Sequence, residues 1–229
     1  MRAATSSPSS PELEAFDAAE VLLLDLGRVL IDIDFDRCFT SWARAATDAG
    51  SPVSPEALRA GFSMDPTFEA HERGELACED FLGALAERLD LPLDAEAMRS
   101  GWNALFGPDV PGMIDRLERI AALREVHVLT NTNATHAAHV RERHADLLAH
   151  ASSVFASHEL GLRKPEADVY DHVVGALDRE ASTILFLDDS EANVSGARAR
   201  GLTALRAEDP FATLRLLDAM LDRWGKDAR

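Results

Sequence analysis

The sequence predicts an α/β fold in which a parallel sheet carries an inserted block of helices. Short apolar runs recur along the chain and helical patterns separate them, which is the alternation that builds a right-handed parallel sheet. One long interval after the first apolar run contains helical patterns only. Several of the apolar runs also end in a polar or charged residue, and the carboxyl ends of parallel strands are where such sheets bind ligands.

The first strand is predicted in the stretch Val21–Asp34, which reads VLLLDLGRVLIDID. Four apolar residues lead directly into Asp25, and Gly27 follows two residues later. A short apolar run bounded by a turn signal is typical of a strand that is covered on both faces. Two interpretations of Asp25 remain open from this stretch alone: it caps a turn, or it meets a ligand at the sheet edge.

Residues 1–19 are predicted to be a flexible tail, because they are rich in Ser and Pro and have no continuous apolar core of the kind found in signal peptides or membrane anchors. Residues 35–106 are predicted to be an all-helical domain, since their apolar residues recur at three- and four-residue steps until Gly107-Pro108. In this domain Trp42 and Trp102 lie in apolar stripes, which favours packing in its core.

The α/β alternation resumes after position 107, so residues 20–34 and 107–229 are predicted to form one core domain. Its further strands are predicted at Val126–Leu129, Ser153–Ala156, Thr183–Leu187 and Thr203–Leu205. Its helices are predicted from Pro111 to Leu123, from Pro165 to Leu177, from Ser190 to Arg200 with Asp189 as the cap, and through Leu214, Leu217 and Leu221.

The charge balance excludes some classes of partner. Forty acidic against 23 basic residues give a formal net charge of −17, which argues against binding to nucleic acid or to an anionic membrane. Cys38 and Cys78 are far apart and fit no metal-ligand spacing, so we expect reduced thiols in a cytoplasmic protein. His136, His139 and His144 form no zinc-ligand set, and we expect them to be surface or partly buried side chains.

Four strand ends or following loops bring chemically useful residues to one edge of the predicted sheet. These residues are Asp25, Thr130-Asn131, Lys164 and Asp188-Asp189. Clustered carboxylates repel each other unless a cation neutralises them, and a donor set of oxygen atoms alone favours Mg²⁺. A carboxylate nucleophile beside a divalent cation and a lysine is suited to phosphoryl transfer through a carboxyl-phosphate.

The order of these motifs resembles the haloacid dehalogenase superfamily. Asp25-Leu-Gly-Arg-Val, Thr130, Lys164-Pro165 and Leu187-Asp188-Asp189 match its four motifs in order. The segments IDIDF at 31–35, HERGEL at 71–76, LTNTN at 129–133 and GLRKPEADVY at 161–170 resemble the bacterial α-D-glucose-1-phosphate phosphatases of that superfamily. The resemblance implies a Rossmann-like core with a helical cap, and a Mg²⁺-dependent phosphatase that acts on a small phosphorylated metabolite.

The resemblance also implies roles for individual residues. Asp25 would be the nucleophile and a Mg²⁺ ligand, together with the backbone carbonyl of Gly27 and the carboxylates of Asp188 and Asp189. Lys164 would bridge the phosphate and Asp25. The phosphate would be bound by Thr130 and Asn131, and the sugar would be reached from the cap by His71, Glu72 or Arg73.

One position departs from most phosphatases of the superfamily, which carry a second Asp two residues after the nucleophile. Gly27 stands there in this chain and cannot transfer a proton. The resembled sugar-1-phosphate branch shares this glycine, and an anomeric hydroxyl is a better leaving group than an ordinary alcohol. Two alternatives stay open at this point: a metal-independent 2-haloacid dehalogenase, and a non-catalytic domain that binds a phosphorylated ligand.

Overall fold

A five-stranded parallel sheet forms the centre of the core in the computed structural model, which describes residues 10–227. In chain order the strands of the molecule are β1 (Val21–Leu24), β2 (Ile31–Ile33), β3 (Phe106–Asp109), β4 (Glu125–Thr130), β5 (Ser153–Ala156), β6 (Ile184–Asp188) and β7 (Thr203–Arg206). The sheet has the order β5-β4-β1-β6-β7, while β2 and β3 form a separate antiparallel pair. The predicted α/β fold with a parallel sheet is therefore confirmed.

The helices up to the third strand are α1 (Ser10–Ala18), α2 (Phe35–Asp48), α3 (Pro55–Gly61), α4 (Pro66–Glu72), α5 (Cys78–Arg88) and α6 (Ala95–Asn103). The later helices are α7 (Met113–Ala121), α8 (Ala134–Arg143), α9 (Ala145–Leu148), α10 (Ser157–Leu160), α11 (Ala167–Leu177), α12 (Glu191–Ala199) and α13 (Pro210–Asp227). Among the described residues, no helix combines the length and the apolar character that crossing a membrane requires.

The central strand explains why the sheet is buried on both faces. Leu22 and Leu24 belong to an apolar cluster that includes residues of α7 and α13, whereas Val21 and Leu23 belong to a second cluster with residues of α11 and α12. This division follows from the two-residue period of a strand, which points alternate side chains to opposite faces. An apolar residue at every position of β1 is therefore needed for a strand at the middle of the sheet.

The helical block has an apolar core of its own. Trp42 of α2 and Trp102 of α6 are fully buried, and their rings stack with centroids 6.0 Å apart. The indole N–H of Trp42 donates to the carbonyl of Met98 at 3.0 Å, so the polar atom of this ring is satisfied inside the block. The predicted packing role of both tryptophans is confirmed.

The expectation of a flexible tail over residues 1–19 is wrong for its last part, and residues 1–9 lie outside the described residues. Ser10–Ala18 form α1, and Phe16 is fully buried in the main apolar cluster. Trp224 of α13 donates its indole N–H to the carbonyl of Phe16 at 2.8 Å. A few apolar side chains are enough to order this segment because they pack against the last helix, α13.

Three further details differ from the sequence expectations. Phe106–Asp109 is a strand and not the turn that Gly107-Pro108 suggests, because β2 pairs with it at the junction of the two parts of the chain. The helix expected to begin at Pro165 begins at Ala167, and the Lys164–Pro165 peptide bond is cis. Asp189 does not cap α12, since Ser190 is the N-cap residue and the Asp189 carboxylate pairs with Arg28.

Candidate active site

The carboxyl ends of the three central strands bring the core of the site together. Asp25 follows β1 and donates its backbone N–H to the carbonyl of Leu187 in β6 at 2.8 Å, so it is held in the sheet. Thr130 ends β4 and Asp188 ends β6, which are the two neighbours of β1. This adjacency is a property of the strand order and puts both residues beside Asp25.

The Lys164 ammonium group makes three short hydrogen bonds. It donates to Asp25 Oδ1 at 2.6 Å, to Asp188 Oδ2 at 2.7 Å and to the carbonyl of Leu129 at 2.8 Å. The side chain is buried, and an ammonium group has three protons to donate. Every proton of this buried cation therefore has an acceptor, which limits the cost of its burial.

Asn131 holds the backbone of Lys164. Its Nδ2 donates to the Lys164 carbonyl at 2.9 Å, and its Oδ1 accepts the Lys164 backbone N–H at 2.9 Å. Both polar atoms of the amide are thus used within the protein. This pair of bonds places the start of the Lys164 side chain next to the end of β4.

Asp188 and Asp189 have different surroundings. Asp188 is fully buried and accepts from Lys164, from the Ser190 backbone and from Asn193 Nδ2, the last at 2.9 Å. Asp189 is partly exposed and its carboxylate lies 2.9 Å from Nε of Arg28. Hydrogen bonds from three protein groups therefore orient the Asp188 carboxylate. The Asp189 carboxylate lies at the cavity.

The three carboxylates could hold a cation. One oxygen from each of Asp25, Asp188 and Asp189 lies within 4.8 Å of the others, which suits a common ion. Burial raises the pKa of Asp25 to about 7, with the Asp188 charge adding to this rise and the Lys164 ammonium opposing it. Burial is also the first cause of the raised pKa of Asp189. An excess of negative charge on oxygen donors is the setting that Mg²⁺ occupies in proteins.

Lys164 stays charged in this setting. Burial alone would lower its pKa, but the carboxylates of Asp25 and Asp188 outweigh burial and raise the pKa above its usual value. The site therefore offers a fixed cation, a carboxylate in contact with it and an acidic cluster that fits a metal.

A cavity of about 350 Å³ opens over this group, between the sheet edge and the helical block. The sheet edge contributes polar residues, among them Asp25, Gly27, Thr130, Asn131, Lys164 and Asp189. The helical block and the paired strands contribute mainly apolar and aromatic residues, among them Ile33, Phe35, Met64, Phe68, Leu105 and Phe106. One end of a ligand would therefore meet charged groups and the other end an apolar wall.

Residues 19–201 match the family model described as a haloacid dehalogenase-like hydrolase. The chain belongs to this family. The resemblance found in the motifs is thus confirmed, and the fold agrees with it.

Named relatives of the haloacid dehalogenase-like hydrolase include a fungal and a bacterial phosphatase. The sesquiterpene phosphatase astK of Aspergillus oryzae is 31% identical over 156 residues, which are 64% of this chain and 75% of the relative. The D-ribitol-5-phosphate phosphatase of Bacteroides thetaiotaomicron is 21% identical over 194 residues, which are 82% of this chain and 91% of the relative. The prediction of a phosphoric monoester hydrolase agrees with both descriptions.

A solved structure shares the fold of this hydrolase. A haloacid dehalogenase-family enzyme from Bacteroides thetaiotaomicron, crystallised in complex with magnesium and inorganic phosphate, superimposes with a TM-score of 0.70 at 22% sequence identity. The match covers 82% of this chain and 93% of the other. The Rossmann-like core with a helical block inserted after the first strand is therefore confirmed as the fold of the family.

Two residues expected to reach the sugar lie elsewhere, and the expectation needs correction. His71 is 2% exposed, stacks on Phe81 with centroids 4.3 Å apart, and has Nδ1 at 3.1 Å from the carbonyl of Leu76. Arg73 pairs with Glu166 of the core. Neither side chain lines the cavity, because one is used in the packing of the helical block and the other in its contact with the core.

Glu72, between these two residues, does line the cavity, and so do residues that the sequence did not indicate. The latter are Arg28, Arg163, Asn133, His136 and Asn193. Arg163 directly precedes Lys164 in the sequence, and Asn193 follows Asp189 by one helical turn. Closeness to a recognised motif was therefore the sequence signal that could have identified these two residues. His136 is more deeply buried than the surface or partly buried side chain that was expected, because its ring stacks on Trp102 with the ring centroids 4.7 Å apart.

Proposed function

We propose that this hydrolase is a Mg²⁺-dependent phosphatase that acts on a small phosphorylated metabolite, through a phosphoryl group carried on Asp25. The observation that carries the proposal is the contact of Lys164 with both Asp25 and Asp188, beside the partly exposed carboxylate of Asp189. A carboxylate attacks phosphorus only if the charge of the phosphoryl oxygens is compensated. Fixed positive charge at the strand ends would supply that compensation.

The residues present fit a magnesium ion. The carboxylates of Asp25 and Asp189 and the backbone carbonyl of Gly27 would hold it, with Asp188 beside them. When bound, the ion would neutralise negative charge that develops on the transferred phosphoryl group. Asp25 would attack the phosphorus, Lys164 would hold a phosphoryl oxygen and orient Asp25, and Thr130 with nearby backbone N–H groups would bind the remaining oxygens.

We propose that residues 35–106 form a cap which excludes water and selects the leaving group. The most favoured substrate is a sugar phosphate such as α-D-glucose 1-phosphate, on the strength of the segments 31–35, 71–76, 129–133 and 161–170. The polar half of the cavity would take the phosphate. Free Cys38 and Cys78 support a location in the cytoplasm, where thiols stay reduced.

The apolar wall of the cavity favours a second class of leaving group. Phe35, Phe68 and Met64 face the cavity, and Met64 is largely exposed. Such a surface suits a phosphate ester with an apolar or ring-shaped leaving group. The substrate screen should therefore include terpenyl and aryl phosphates beside the sugar phosphates.

The test is a screen of phosphorylated metabolites in the presence of Mg²⁺, with Asp25→Asn as the blank. The proposal expects phosphate release that EDTA stops and that Asp25→Asn abolishes. A metal-independent 2-haloacid dehalogenase would release halide from a haloacid and ignore EDTA. A non-catalytic binding domain would show no turnover above the blank. Either of these last results would contradict the proposal.

A further inference from the structure

The position where most phosphatases of the family carry their acid and base is Gly27, which has no carboxylate, and the end of the Ile33 side chain lies close beside it. A Cβ atom added to Gly27 would lie 2.7 Å from Cδ1 of Ile33, so an apolar side chain already fills the space beside this residue. Hydrolysis of a phosphate ester nevertheless benefits from a group that protonates the leaving oxygen and then activates water. That group would have to enter the cavity from another element.

Ionisable side chains line the cavity from both sides. Those within the described part of the chain are Asp25, Arg28, Glu72, His136, Arg163, Lys164 and Asp189. A guanidinium group has donors only and offers no acceptor, and Asp25, Lys164 and Asp189 are assigned to attack and to charge compensation. Glu72 and His136 remain.

His136 has no free nitrogen. Asn133 Oδ1 accepts the backbone N–H of His136 at 3.0 Å, so the amide nitrogen of Asn133 is the donor to His136 Nδ1, also at 3.0 Å. The other ring nitrogen then carries the proton and donates to the carbonyl of Trp102 at 3.2 Å. A ring with both nitrogens engaged inside the protein can neither give nor take a substrate proton.

Glu72 has one oxygen held and one oxygen free. It is the last residue of α4, it is 7% exposed, and its Oε2 accepts from Arg163 Nε at 3.1 Å and from Arg163 Nη2 at 2.8 Å. Its Oε1 takes no hydrogen bond from any residue in the described range. Because Arg163 directly precedes Lys164, the bonds to Oε2 tie this cap carboxylate to the loop that carries the cation of the site.

The environment of Glu72 favours a proton-transfer role. Burial raises its pKa, and the positive charge of Arg163 opposes the rise only in part. A carboxyl group with a raised pKa carries a proton more often at neutral pH and is also a stronger base once it has lost it.

We propose that Glu72 is the general acid and base of this phosphatase, replacing the carboxylate missing at position 27; the inference rests on the proposed function. A carboxylate oxygen of Asp25 attacks phosphorus, the bond from phosphorus to the leaving oxygen breaks, and Glu72 gives its proton to that oxygen. In the second step Glu72 takes a proton from water while the water oxygen attacks phosphorus. The bond to Asp25 then breaks, which releases phosphate and restores both carboxyl groups.

The test compares Glu72→Gln with Glu69→Gln. Glu69 lies on the same helix and also pairs with Arg163, at 3.2 Å, but it does not line the cavity. Both variants thus weaken the contact between α4 and Arg163. Only Glu72→Gln also removes a carboxylate from the cavity. Thermal unfolding of both variants shows whether they are folded.

With p-nitrophenyl phosphate and Mg²⁺, the first step needs no acid because p-nitrophenolate leaves readily. Glu72→Gln is therefore expected to release one p-nitrophenol per enzyme molecule in a burst, followed by steady turnover about 100-fold slower than wild type. With an alkyl phosphate the burst should disappear, since both steps then need Glu72. Glu69→Gln should keep the wild-type rate within about threefold on both substrates.

Wild-type turnover by Glu72→Gln, or an equal loss in both variants, would overturn the inference and leave Glu72 as a structural contact. If Glu72→Gln does not fold, Glu72→Asp replaces it: it keeps the carboxyl group one methylene farther back, and wild-type kinetics in this variant would contradict the proposal. A wild-type protein without turnover above the Asp25→Asn blank would contradict the proposed function itself.

Discussion

Lys164 shows how a single residue organises the site. Its three ammonium protons meet three acceptors, two of which are carboxylates. A buried cation with this many partners has one stable position, and it fixes Asp25 and Asp188 in relation to each other. Asp25, the proposed nucleophile, is therefore oriented before any substrate arrives, which is what electrostatic preorganisation requires.

Asn131 is expected to act on Lys164 even when no ligand is bound. Asn131→Ala would leave the backbone N–H and carbonyl of Lys164 without partners, and we expect the free energy of unfolding to fall by about 2 kcal/mol. Urea unfolding of the protein without metal or phosphate measures this change. An unchanged free energy of unfolding in Asn131→Ala would contradict this role and would leave binding of phosphate as the only function of the Asn131 side chain.

His136 gives the protein a sensitivity to acid. Burial lowers its pKa to about 3, whereas the unfolded chain has the ordinary value near 6.5. Below pH 6.5 the unfolded state therefore binds a proton that the folded state does not bind, so this contribution to stability is present above pH 6.5 and is lost as the pH falls towards 3.

The corresponding prediction uses His136→Gln, which has no titrating ring. Between pH 7 and pH 5, the free energy of unfolding of the wild type should drop by about 2 kcal/mol more than that of the variant. Urea unfolding at the two pH values measures the difference. His172→Gln, at an exposed position, is the control for the loss of an imidazole ring. An equal decrease in the free energy of unfolding of the wild type and of His136→Gln would contradict the claim that His136 is buried as a neutral imidazole.

The residues of the sheet edge could be predicted because each ends an apolar run or precedes a helix. Asp25, Thr130 and Asp188 follow strands that the two-residue period makes recognisable. The position of His71 could not be predicted in the same way, because a short polar stretch looks the same whether its side chains face a ligand or pack on Phe81. Which neighbour a side chain meets is decided by the tertiary fold.

At the scale of elements, the end of α4 is docked closely on the core. Gly74 has φ +73°, and a Cβ atom there would lie 2.4 Å from the carbonyl oxygen of His158. Only glycine meets both conditions without a shift of the backbone. This contact lies two residues beyond Glu72, the last residue of α4, which lines the cavity.

Gly74→Ala is therefore expected to impair turnover as well as stability. Its control is Gly50→Ala, since Gly50 also has a positive φ, of +84°, but would place a Cβ atom in open space. Both variants should lose about 1 kcal/mol of unfolding free energy through backbone strain. Only Gly74→Ala should also lower kcat, by about tenfold or more, because the end of α4 must move. Steady-state kinetics and urea unfolding check both, and equal kcat values would contradict the docking role.

The bounds of an element could be predicted where its apolar residues recur with a clear period. They could not be predicted where contact with a distant element determines the structure. The helices α2, α3, α5 and α6 of the block show repeated apolar spacing and were expected, whereas α4 lies in a polar stretch and was not. The strand Phe106–Asp109 contains Gly and Pro and owes its form to its partner β2, so no local pattern reveals it. The helix α1 depends in the same way on α13, which lies at the far end of the chain.

At the scale of the whole molecule, the charge distribution separates the site from the surface. The chain carries a formal net charge of −17, yet Arg28, Arg163 and Lys164 all line one cavity. The net charge of the chain repels an anionic substrate, whereas these three side chains bring positive charge to the cavity. Two ion pairs, Arg73 with Glu166 and Arg163 with Glu72, join the helical block to the core.

Asp25 is the residue that we propose to carry the phosphoryl group. A rapid acid quench of the wild-type enzyme during turnover of a phosphate ester with Mg²⁺, followed by mass spectrometry of its peptides, tests this role directly. We expect an acid-stable phosphoryl group on the peptide that contains Asp25, and none on the Asp25→Asn variant. Turnover that proceeds with the phosphoryl group on another residue, or that continues in Asp25→Asn, would contradict it.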